Sequence, residues 1–127
     1  MLRILVGEDE VLVALALREG LEDLGASVTV AHSAAEATRA LSAGHFSAAV
    51  VDMLLPDTNG EPFVKLCRRQ CPSMPILVTT GLHAHQIRSM FPHDLLLEVL
   101  EKPHETVQVQ AALERLGLIF AAAATRA

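Results

Sequence analysis

The feature that most constrains this chain is an alternation sustained along its length. Short apolar runs take turns with longer segments whose apolar residues recur at helical spacing. "RILV" (Arg3 to Val6) reads as a buried strand, and "SVTVA" (Ser27 to Ala31) as a second, with the β-branched content strands favour. "AAVVD" (Ala48 to Asp52), "PILVTT" (Pro75 to Thr80) and part of "LLLEVLEKP" (Leu95 to Pro103) follow as the third, fourth and fifth. Between the first two strands, Val11 to Leu24 puts Ala14, Leu17, Leu21 and Leu24 on one helical face and stops before Gly25. Ser33, with Glu36 three places on, forms a capping box opening a helix that ends near Gly44. Gly60 to Gln70 reads as a third helix, closed by Pro72. The last runs from about Glu105, with Val109, Ala112, Leu113 and Leu116 on one face and Gly117 as its break. Gly81 to Pro92 has weak periodicity, so any helix there is short or irregular.

Strands apolar on both faces need cover on both sides, which means an α/β fold with a parallel sheet and helices on each face. Right-handed crossovers leave few topologies for five such units, and the expectation is a flavodoxin-like, doubly wound five-stranded sheet of order 2-1-3-4-5. A length of 127 residues fits one domain, 1–127, with about 118–127 as a C-terminal helical extension or tail. "LGLIFAAAA" (Leu116 to Ala124) is more apolar than a free tail needs. It is expected to cap the core, a homodimer face being the alternative.

Composition removes several function classes. The net charge is −5, and ten Lys plus Arg are scattered along the chain, so no basic face for nucleic acid is indicated. No apolar run approaches a membrane span, and "MLRILVGEDE" turns acidic too soon for a secretory signal, which points to the cytoplasm and no membrane partner. Cys67 and Cys71, one turn apart on the third helix, read as packed thiols, with too few further ligands for zinc. His83, His85 and His93 read as loop histidines.

Open parallel sheets hold their sites at the carboxyl ends of the strands. There stand Glu8, Asp9 and Glu10 after the first strand, Asp52 at the third, Thr79 and Thr80 at the fourth and Lys102 at the fifth. Strands one and three are neighbours in the expected order, so Glu8 or Asp9 crowds Asp52. Carboxylates this close raise one another's pKa unless a cation joins them, and an all-oxygen donor set suits Mg2+. Were Asp52 to become an aspartyl phosphate, its oxygens would need a metal, an ammonium and a neutral donor; Mg2+, Lys102 and Thr80 supply one of each.

The stretches "ILVGEDE", "VVDMLLPDTNG", "ILVTTG" and "VLEKP", in that order, resemble the receiver domains of two-component response regulators across nearly the whole chain. The resemblance implies that Asp52 accepts a phosphoryl group from a histidine kinase or phosphotransfer protein. It implies Mg2+ held by Glu8, Asp9, Asp52 and the backbone carbonyl of Leu54, with Thr80 as switch hydroxyl, Lys102 as phosphoryl-pairing lysine and a cis bond at Pro103. Such a domain is a regulatory phospho-acceptor rather than a conventional enzyme, able to catalyse its own phosphotransfer and dephosphorylation, and it acts through a protein effector. Gly81 leaves room for a phosphoryl group. Leu54 cannot orient an attacking water, which implies a long-lived phosphoryl state.

Three departures stand out. Val99 replaces the aromatic that receivers commonly carry three residues before the lysine, His104 stands where a Phe often follows Lys-Pro, and the segment after "TTG" lacks the usual alanine-rich ending. The strings look like a subtype found alone or attached to hybrid histidine kinases, with output through rearrangement of Gly81 to Asp94. The alternative functional reading is a non-phosphorylated pseudo-receiver acting as a protein-binding module. A phosphatase of the haloacid dehalogenase type is set aside, because Leu54 stands where that chemistry wants a general acid.

Overall fold

The computed structural model describes residues 1–121. Its main sheet has five parallel strands: β1 (Arg3–Gly7), β2 (Ser27–Ala31), β3 (Ala48–Asp52), β6 (Ile76–Thr80) and β7 (Leu97–Glu101), in the order β2-β1-β3-β6-β7. This is the 2-1-3-4-5 arrangement read from the sequence. A two-stranded antiparallel ribbon, β4 (Leu54–Leu55) with β5 (Thr58–Asn59), follows Asp52 directly. The ribbon was not anticipated, since strands of two residues carry no periodicity. Its one local sign is Pro56-Asp57 at the turn.

Register explains how one run of residues serves two cores. Ile4, Val6, Ala48, Val50 and Leu77 face one side, and Leu5, Ala49, Val51, Ile76 and Val78 the other. On the first side lie α1 (Val11–Asp23) and α5 (Thr106–Arg115), which contribute Leu17, Leu21, Val109 and Leu113. On the second lie α2 (Ala34–Ala43), α3 (Gly60–Gln70) and α4 (Ala84–Arg88), which contribute Ala37, Leu41, Phe63, Val64 and Ile87. All of β3 is buried because it has strands on both edges and helices on both faces. The edge strands β2 and β7 are only partly covered, as strands with a neighbour on one side alone must be.

Helix ends follow their local chemistry, with one change of partner. Ser33 Oγ accepts the Glu36 N–H, as the capping box requires, but Glu36 reaches back to the N–H of His32 rather than to that of Ser33. At α5 the box is complete between Glu105 and Gln108. Gly117, at φ +109°, ends that helix. Leu118 and Phe120 then turn onto the core beside α1 and α5, with Phe120 fully buried. They are non-helical, which matches the tail rather than the helical form of the expected extension as far as Phe120, and 122–127 fall outside the described residues. Cys67 is buried in the core while Cys71 lies one residue past the helix end. The irregular stretch contains only the five residues of α4, as its weak pattern predicts.

Gly60 locks the ribbon in place. A Cβ there would come within 2.8 Å of the Met53 backbone, so only glycine lets the start of α3 press against the residue after Asp52.

Candidate functional site

Parallel strands end together, and at their carboxyl ends the structure gathers charge. Glu8, just past β1, is 1% exposed, and Asp52, the last residue of β3, is 7% exposed. Two carboxylates so deep cost several kcal/mol each unless compensated. The compensation comes from Lys102, just past β7, whose Nζ lies 2.7 Å from Asp52 Oδ2, 2.8 Å from Glu8 Oε1 and 3.7 Å from Glu10 Oε1.

The remaining bonds fix these groups from behind. Asp52 Oδ1 accepts the Leu54 N–H at 3.0 Å, and Glu8 Oε2 accepts the Glu10 N–H at 3.0 Å. Burial pushes the Glu8 carboxyl above its ordinary pKa and Asp52 adds to this, against the opposing pull of Lys102 and the Glu10 N–H. Burial alone would lower Lys102, but its bonds to Asp52 and Glu8 outweigh that and raise it. The ammonium therefore stays charged wherever the protein is folded at neutral pH.

A cavity of about 250 Å³ opens onto this cluster, lined by Asp9, Glu10, Asp52, Leu54, Gly81 and Lys102. A Cβ at Gly81 would meet no atom within 4 Å, so the space beside it is open. The Leu54 side chain is 62% exposed. Thr80 is buried, and its hydroxyl accepts the Leu82 N–H at 2.9 Å instead of lining the cavity. Its carbonyl accepts the Lys102 N–H at 2.7 Å, which ties the hydroxyl-bearing strand end to the lysine.

The structure thus joins Glu8, Asp52 and Lys102 directly and sets Asp9 and Leu54 at the same cavity, with Thr80 one step behind. Sequence reasoning saw Glu10 at the strand end but gave it no part, although its carboxylate approaches the lysine. Asp57 was missed altogether. Its carboxylate accepts the N–H groups of Ala34 and Ala35 at 2.8 and 2.9 Å, and these bonds hold it below its ordinary pKa. The ribbon carrying Leu54 is thereby tied to the start of α2.

Among the described residues, no group of three or more His, Cys, Asp or Glu side chains is arranged to hold a metal as it stands. The ammonium of Lys102 occupies the place between Glu8 and Asp52. The donors at the cavity still suit Mg2+, which takes one or two carboxylates and keeps several waters. Asp9 and Asp52 supply that number, and the cavity's carboxylates outnumber its one ammonium. His83, His85 and His93 form no ligand group, and burial raises the Cys67 thiol to about 12, which leaves it an inert packing residue.

The family model of the response regulator receiver domain matches residues 4–114. The chain belongs to that family. Among its relatives, the virulence transcriptional regulatory protein PhoP of Salmonella typhimurium is 31% identical over 116 residues, covering 91% of this chain and 52% of that protein. The transcriptional regulatory protein QseB of Escherichia coli O157:H7 is 28% identical, with the same two coverages. The receiver spans about half the length of these curated relatives. A response regulator receiver protein from Sinorhizobium medicae superposes with a TM-score of 0.81 at 28% identity, covering 91% of this chain and 93% of that one. The chemotaxis response regulator CheY4 of Vibrio cholerae, at 24% identity, shares the fold with a TM-score of 0.83 and covers 91% of this chain and 98% of its own. In this receiver the Lys102–Pro103 peptide is cis, as the resemblance implied. Val99 is half-buried on β7, against the core that holds Ile87 and Phe91.

Proposed function

We propose that this receiver is a phosphorylation-dependent switch in a two-component system, with Asp52 as the acceptor of a phosphoryl group from a histidine kinase or phosphotransfer protein. The observation that carries this reading is the Asp52 carboxylate held 2.7 Å from Lys102 beside an open cavity, with Glu8 buried behind it. Asp52 Oδ2 is the nucleophile. Lys102 steadies it before transfer and pairs with the phosphoryl oxygens afterwards.

Asp9, Asp52 and the Leu54 carbonyl would hold Mg2+, with Glu8 completing the acidic set through its grip on Lys102. When bound, the metal offsets charge on the transferred group. Thr80 gives its hydroxyl to the phosphoryl group on release of the Leu82 N–H, and that release loosens the start of the Gly81 to Asp94 segment. Positioning and charge are the whole of the chemistry asked of this chain, which suffices for it to promote its own phosphorylation and dephosphorylation. The setting implied for a kinase-fed receiver is the cytoplasm, and the output is a protein effector. The non-phosphorylated binding module has no observation in its favour, because every charged group the acceptor reading needs is present.

Intact mass after incubation with phosphoramidate and Mg2+ tests the reading. One phosphoryl adduct is expected on the parent protein and none on Asp52→Asn. An unmodified parent protein would leave the binding module in its place.

A further inference from the structure

A second concavity lies away from the strand ends. Helix α3 runs back from the carboxyl ends of the strands, and beside its last turns the segment between α4 and β7 leaves a groove of about 640 Å³. Val64 and Phe91 form its buried floor. Pro72, Met90 and Leu95 line it, and Leu95 is 88% exposed. That volume lies within the range of ligand-sized pockets.

The charge of the groove is opposite to that of the molecule. Lys65 and Arg69 line it. Arg68 and Asp94 cancel, since Nε and Nη2 of Arg68 bond the Asp94 carboxylate at 2.9 and 3.1 Å. Lys65 has only a weak, exposed partner in Glu61 at 3.6 Å, and Arg69 has no ion pair among the described residues. A surplus of positive charge around an apolar floor, on a chain of net charge −5, selects for an acidic partner with apolar anchors.

We infer that this groove docks a short acidic amphipathic segment of a partner protein, with Leu, Met or Phe side chains seated on Val64 and Phe91 and carboxylates facing Lys65 and Arg69. One weakly paired lysine, one arginine without an ion pair among the described residues and no exposed aromatic platform are too little for nucleic acid. The groove also connects to the acceptor site. Its wall from Met90 to Asp94 continues α4, whose first N–H, that of Ala84, donates to Glu101 Oε1 at 2.7 Å, one residue before Lys102. This link between docking and phosphorylation rests on the acceptor function proposed above; the groove itself does not.

The test is an NMR titration of the whole chain, without metal or phosphate, using three synthetic peptides. One carries Leu at helical spacing among Glu, the second the same Leu among Lys, and the third Glu with Ala in place of Leu. Saturable shifts at Val64, Met90 and Leu95 are expected with the first alone, weakening as salt rises. The double variant K65Q/R69Q and the single variant Leu95→Ser should each lower affinity about tenfold with at most a small change in the thermal midpoint, since all three side chains are exposed and the Lys65–Glu61 pair is weak. Equal binding of the Lys peptide, shifts elsewhere, displacement by a DNA duplex, or self-association through the groove at rising protein concentration would each overturn the proposal. Repeating the titration with Mg2+ and beryllofluoride tests the link separately. A changed affinity supports the coupling, and an unchanged one removes it while leaving the surface.

Discussion

Asp57 and Ala34 lie 23 residues apart, yet the carboxylate of one accepts the backbone N–H of the other at 2.8 Å, and that of Ala35 at 2.9 Å. A helix start offers free N–H groups and the positive end of its dipole, so an anion brought there from another element both caps the helix and ties down its own loop. The loop in question is the ribbon whose residue Leu54 holds Asp52.

Replacing Asp57 therefore acts on stability with a defined pH dependence. The folded carboxyl titrates below its ordinary value of 3.8, so its stabilisation is complete above that pH and is lost as pH falls through the lower folded value. Asp57→Ala is expected to lower the thermal midpoint by a few degrees at pH 7, with the gap to the parent closing in acid below 3.8. Circular dichroism is the measurement of choice, because the chain has no Trp or Tyr. A gap that stayed constant down to acid unfolding would mean the cap carries no charge.

Arg68 is predicted to be structural. Besides gripping Asp94, its Nη1 donates to the carbonyls of Cys71, Pro72 and Met74, so one side chain closes the exit of α3 and the approach to β7. Its side chain is 22% exposed and that of Asp94 16%. Arg68→Ala strips the partner from a mostly buried carboxylate, which costs about 3 kcal/mol. Urea unfolding should show that loss, and Arg68→Lys should recover little, because an ammonium cannot make the forked contact.

Lys102→Ala should make the protein depend on a divalent cation. With the ammonium gone, the carboxylates of Glu8 and Asp52 face each other without compensation, and stability falls by about 3 kcal/mol. Added Mg2+ is then expected to raise the thermal midpoint more in the variant than in the parent, where lysine already supplies positive charge at the same place. Equal increments would show that the metal does not take over the lysine's place between these two acids.

Leu54 is predicted to set the lifetime of the phosphoryl group in the proposed switch. Its side chain is 62% exposed beside the cavity and offers an incoming water no hydrogen bond. Leu54→Glu places a carboxylate where it can orient that water, and loss of the adduct, followed by intact mass with Mg2+, should quicken about tenfold or more. An unchanged rate would mean that access to the phosphorus, rather than orientation of water, limits hydrolysis.

The alternation of apolar runs with helical segments pointed to the layers, the strand order and the strand ends on which Glu8, Asp52 and Lys102 stand, because burial on two faces and right-handed crossovers leave few topologies, of which 2-1-3-4-5 is the commonest. Gly81 was legible too, as a position that leaves room for a phosphoryl group, whereas the close approach of Gly60 to Met53 was not. The contact that joins Glu8 to Asp52 through Lys102 was only half legible: sequence reasoning set Lys102 opposite Asp52, and its reach to Glu8 as well is a matter of how far a lysine extends across the sheet. The two-residue ribbon, the Asp57 bonds, the Arg68 clasp and the positive groove are of the same kind. Each depends on side chains from segments far apart in the chain meeting at one point, and no local pattern of period 2 or 3.6 records such a meeting. Local patterning shows which residues reach the ends of the strands; long-range packing sets which of them touch.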